Sequence, residues 1–134
     1  MSITLTDHDA ATIRTAAYGA VALIAAADAT GKPHKTATQG SLALYSATGP
    51  LGHVLAAKSK DIALQGKTVA ELADHVLPAL TDAMNLLTTQ DPTEADNFRS
   101  TVLLAIDASR SHRSTPDPVV AAMADKITSA LDAA

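Results

Sequence analysis

The chain has 134 residues, a formal net charge of −4 and no cysteine. These facts exclude a disulfide framework, a cysteine–zinc site, a thiol nucleophile and a strongly basic nucleic-acid-binding surface. Hydrophobic residues make up 47% and aromatic residues only 2%, with about a fifth of all positions taken by Ala, the best helix former. The composition therefore predicts an all-α protein: a compact bundle of five or six helices in a single domain over residues 1–134, with long helices near both ends and a short, irregular helical middle segment.

The first nine residues are acidic and lack the basic start of a signal peptide, so a cytoplasmic location is expected. Thr6 stands three residues before Asp9, which is capping chemistry for a helix from about Asp7 to about Ala29. Within it, Thr15–Ala27 carries no charge and lies between Arg14 and Asp28. That run has 13 residues, against about 20 for a membrane span, so a buried helix of a soluble protein is expected. Ile13, Ala17, Ala20, Val21 and Ile24 share one face, and Gly19 suggests close approach of another backbone. This helix should be the axis on which the others pack.

Ala29-Thr30-Gly31-Lys32-Pro33 reads as its stop. Lys35–Ala47 reads as a helix on its Ala content, although Leu42-Ala43-Leu44 would also suit a short strand. Thr48-Gly49-Pro50 ends that segment. Leu51, Val54 and Leu55 suit a short helix through about Lys58, followed by a loop or single turn over Ser59–Lys67 with Ile62 and Leu64 turned inward.

Thr68 and Glu71 form a T-x-x-E capping box. Val69, Leu72, Ala73, Val76, Leu80, Ala83, Met84 and Leu87 then make one apolar stripe. Pro78 lies on the other side and should kink or split that helix near Leu77. Asp91-Pro92 starts the next helix, with Ala95, Phe98, Val102, Ala105 and Ile106 facing inward and a basic end at Arg110–Arg113. Asp117-Pro118 repeats the start signal for a last helix striped by Val120, Met123, Ala124, Ile127 and Leu131.

Two polar sets stand out. Glu71, His75 and Asp82 fall within about 40° of one another on an ideal helix. Two carboxylates and an imidazole in a line can ligate a metal or exchange protons, which makes a metal-dependent enzyme one reading. The line lacks the E-x-x-H spacing of di-iron bundles and equally describes a solvated helix face. The second set is basic. Thr30–Lys67 holds five Lys against Asp61 alone, a net charge of +4, while the rest of the chain carries −8. Lys35, Lys58 and Lys60, with His53 in a Gly/Pro-containing stretch, could border a site for a small anionic ligand. His8, between Asp7 and Asp9, reads as part of a helix start. Phe98, Met84 and Met123 read as core.

No Gly-x-Ser-x-Gly elbow, phosphate loop, dinucleotide fingerprint or H-E-x-x-H motif occurs, and no cofactor is expected. The leading expectation is a non-enzymatic helical protein acting through self-association, such as a homodimer, or through a protein partner, without nucleic acid or membrane.

Overall fold

The computed structural model describes residues 4–27, 33–56, 68–110 and 118–134, the side chains of 33–38 and 50 excepted. These residues form helices α1 (Asp7–Ala27), α2 (Pro33–Tyr45), α3 (Gly49–Ala56), α4 (Val69–Gln90), α5 (Pro92–Arg110) and α6 (Pro118–Asp132), with no strand among them. The molecule is the all-α bundle that composition predicts, and its two shortest helices occupy the middle segment.

The start of α1 is set by reciprocal capping. The Thr6 main-chain N–H donates to Asp9 Oδ2 at 3.2 Å, and the Asp9 N–H donates to Thr6 Oγ1 at 3.0 Å. Both ends of the motif satisfy amides that a helix start leaves without partners. All five residues of the expected inner face are buried, and so are Ala16, Gly19, Leu23 and Ala27. Each of the other five helices packs against α1. Its many Ala positions make this possible, since a side chain of one methyl lets neighbours approach from several directions. The uncharged run alone is too short to span a membrane, but the helix that contains it has 21 residues and is long and apolar enough to do so by length and composition. In the bundle, 61% of its most apolar stretch is buried against other helices.

Residues 33–45 are helical, so the Leu42–Leu44 strand alternative falls away. Pro33, expected as part of a stop, instead begins α2, where its missing N–H is harmless. The passage into α3 turns on Gly49, whose φ of +72° lies in the left-handed region that side chains disfavour. One close approach in this part of the bundle is at Gly40. A Cβ there would overlap Ser109 Oγ and stand 2.7 and 2.9 Å from the Val21 methyl carbons, so the missing side chain lets α2 meet α1 and α5 together. The expected turn over Ser59–Lys67, with Ile62 and Leu64, lies outside the described residues.

α4 starts at the Thr68 cap, where Thr68 Oγ1 accepts from the Glu71 N–H at 3.1 Å. The stripe from Ala73 to Leu87 is buried, with Val69 and Leu72 half-buried at its start. Pro78 does not split the helix, which runs unbroken from Val69 to Gln90. The proline lies on the exposed side, so the apolar stripe continues past it on the packed side. Asp91 alone separates α4 from α5. Its N–H donates to Leu87 O at 2.7 Å, and its Oδ1 accepts from the Thr93 N–H at 3.0 Å, so one buried residue closes one helix and opens the next.

α1 and α4 run antiparallel, with the Thr4 N–H donating to Gln90 Oε1 at 3.1 Å. α6 is tied at its end, where Thr81 Oγ1 donates to Ala130 O at 2.6 Å and Arg99 pairs with Asp132 at 2.8 Å. A single core cluster joins Ile13 and Leu23 of α1, Leu44 of α2, Leu51 and Leu55 of α3, Leu80 of α4, Phe98 of α5 and Ile127 of α6.

Candidate functional site: a cleft between α1 and α4

Where the first two turns of α1 meet the middle of α4, the bundle leaves a cleft of about 540 Å³ lined by His8, Ala11, Thr12, Thr15, Asp74, His75, Pro78, Ala79 and Asp82. The spacing of the lining residues explains its form. Positions 8, 11, 12 and 15 of α1 and 74, 75, 78, 79 and 82 of α4 recur every three or four residues, so each helix presents one stripe. Both stripes are poor in large side chains, and small residues such as Ala11, Ala79 and Pro78 leave space instead of filling it. The volume falls within the range of small-molecule sites, roughly 300–1,000 Å³.

The polar lining has a definite bias. Asp74 and Asp82 are exposed at the surface of the cleft, His8 is exposed, His75 is half-buried and Thr15 is buried. The Thr12 hydroxyl donates to His8 O at 3.0 Å, which commits its one proton to the main chain and leaves only lone pairs for the cleft. Pro78 has no N–H, so the carbonyl four residues earlier, that of Asp74, lacks its helical donor.

The two sequence-derived sets fare differently. Of Glu71, His75 and Asp82, the last two line the cleft, while Glu71 is exposed and stands outside it. Among the described residues, no group of three or more His, Asp or Glu side chains could hold a metal ion. The line along α4 is divided: His75 and Asp82 line the cleft together with His8 of α1, and Glu71 does not. Of the basic set, His53 is exposed on α3, well separated in the chain from the cleft lining. Lys35 belongs to the first turn of α2 with its side chain outside the described residues, and Lys58 and Lys60 also lie outside them. Met84, Met123 and Phe98 are buried in the core.

Sequence reasoning missed His8, Thr12 and Asp74 as cleft residues. Each has an ordinary local role as part of a helix start or a polar helix face. Only the antiparallel docking of α1 on α4 brings them together, and no local pattern encodes it.

A second polar cluster is structural. Arg14, 7% exposed, donates from Nη1 to Val54 O at 3.3 Å, and Tyr18 Oη donates to Leu55 O at 2.7 Å. Both carbonyls belong to the last described turn of α3 (Gly49–Ala56). The guanidinium also meets the negative end of the helix dipole. Burial, with hydrogen bonding to Tyr45, pushes the Tyr18 phenol well above the ordinary tyrosine range, and Arg14 opposes this without cancelling it. The Tyr18 and Tyr45 rings lie 6.2 Å apart, tilted by 58°.

No known family model matches the chain, and neither a curated protein nor a solved structure matches it at a significant level.

Proposed function

We propose that this chain is a non-enzymatic helical binding protein whose α1–α4 cleft receives a small ligand. The observation that carries the reading is the cleft itself: a concave space of about 540 Å³ lined by apolar Ala11, Pro78 and Ala79 together with a few polar side chains. Binding is favoured over catalysis because the Thr12 hydroxyl gives its proton to a main-chain carbonyl instead of an imidazole, so it is not poised as a nucleophile. Self-association or a protein partner has weaker support. Leu42, Tyr45, Leu104 and Val119 are each more than half exposed, but they are spread over α2, α5 and α6, and scattered exposed apolar residues are normal.

The test is a fragment screen of the 15N-labelled chain by amide chemical shift. Binders should shift amides in residues 8–15 and 74–82, and Ala79→Phe should abolish the shifts while leaving the melting temperature within a few degrees. Binders that shift only amides elsewhere, or that bind Ala79→Phe unchanged, would overturn the reading.

A further inference from the structure

The geometry points to an organic cation, with ammonium groups on an elongated apolar body, as the ligand class of the α1–α4 cleft. This inference rests on the reading of that cleft as a ligand site and assigns the chemistry of what enters it. The lining offers acceptors in excess of donors: the Asp74 and Asp82 carboxylates and the Thr12 oxygen, whose proton is already given to His8 O, stand against the ring N–H groups of His8 and His75. An ammonium group has three donors and no acceptor, so it complements such a surface.

The surrounding charge has the same sign. α4 carries Glu71, Asp74 and Asp82 and no Lys or Arg. α1 carries Asp7 and Asp9 at its start beside His8, and its one Arg or Lys, Arg14, reaches to α3. The α1 N-terminus disfavours an anion here, because Asp7 and Asp9 supply negative charge in its first turn and the Asp9 carboxylate is bonded to the Thr6 amide. This differs from the anionic ligand that the basic middle segment suggests, and it places the site in the acidic part of the chain.

The spacing sets the shape. Asp74 and Asp82 are eight residues apart on one unbroken helix, about 12 Å along its axis. Ala11, Pro78 and Ala79 provide apolar surface between the two carboxylates. A linear diamine of matching length can set one ammonium group at each carboxylate and lay its methylenes on that surface.

Three probes of equal length separate the terms: 1,8-diaminooctane, neutral 1,8-octanediol and the dianion suberate. Each is titrated into the 15N-labelled full chain at low ionic strength, with the cleft amides as readout. The diamine is expected to bind at least about ten-fold more tightly than the diol, and suberate to leave the cleft amides unmoved. Asp74→Asn and Asp82→Asn should each weaken the diamine roughly three- to five-fold, the scale of an exposed charge pair, with added salt weakening it further. Asp107→Asn, an exposed acid on α5 outside the cleft, should change nothing. If the diol or suberate moves the cleft amides as strongly as the diamine does, the cationic class is wrong and the cleft still binds ligands. If the diamine moves only amides outside residues 8–15 and 74–82, the inference fails. If the fragment screen also finds no binder there, the ligand-site reading fails with it.

Discussion

Gly40 shows how one missing side chain can decide a contact between three helices. Replacing Gly by Ala in a helix interior ordinarily gains about 1 kcal/mol of helix propensity. Here the added methyl would overlap Ser109 Oγ and press on both Val21 methyl carbons. Ser109 is fully buried and donates from Oγ to Ala105 O at 2.8 Å, so it cannot swing away without losing a buried hydrogen bond. Overpacking of this kind costs about 1–3 kcal/mol, which matches or exceeds the propensity gain. Gly40→Ala is therefore expected to destabilise by up to about 2 kcal/mol in denaturant unfolding. Val21→Ala in the same chain should recover part of the loss, read as a favourable coupling in a double-mutant cycle. Stability equal to or above the parent would show that α2 shifts freely on α1. The sequence gives no sign of this contact: Gly40 sits in a polar-looking stretch, and Gly19, which looks like the packing glycine from its apolar surroundings, is one of many buried small residues in α1.

Among the elements, the short α3 depends most on a partner. Eight residues are too few to be helical alone in water. α3 is held by the burial of Leu51 and Leu55 and by Arg14 and Tyr18 of α1 at its last carbonyls. Tyr18→Phe removes one buried-end hydrogen bond and should destabilise by about 0.5–1.5 kcal/mol at neutral pH. The sign of the pH effect follows from the raised phenol. In the folded chain Tyr18 keeps its proton at a pH where the unfolded chain releases it, so the unfolded state binds fewer protons there and stability falls as pH rises. The contribution is fully present below about pH 10 and declines above it. The difference in stability between the parent and Tyr18→Phe should therefore shrink from pH 9 to pH 11 at constant salt. A constant difference would place the phenol in water. Helix ends were legible wherever the chain caps itself, as at Thr6, Thr68 and Asp91. The cap that α1 supplies to α3 joins residues 37 and 40 positions apart, beyond the reach of any local motif.

At the scale of the whole molecule, apolar periodicity predicts the core well and the cleft poorly, for one reason. Burial repeats every three or four residues along a helix, so the stripes of α4, α5 and α6 can be read one helix at a time. A cleft is the place where two stripes fail to fill the space between them, and that depends on which helices dock and at what height. The same logic makes unfolding cooperative. All six helices contribute to one core cluster, with α1 in contact with each of the others, so no helix pair can leave without exposing the rest of the core. The chain has no Trp, and its two Tyr residues lie on α1 and α2. Tyrosine fluorescence therefore reports the α1–α2 region, while far-ultraviolet circular dichroism reports all helices. The two transitions should coincide in urea, and the calorimetric and van't Hoff enthalpies should agree. Phe98→Ala, which empties a fully buried site on α5, should lower both midpoints together by an amount equivalent to about 3–5 kcal/mol. If the fluorescence midpoint stays in place while the dichroism midpoint falls, α1 and α2 form a unit that folds without α5, and the single-core account is wrong. Coincident shifts would mean that the contact of α2 with α5 and the central position of α1 bind the two halves into one folding unit.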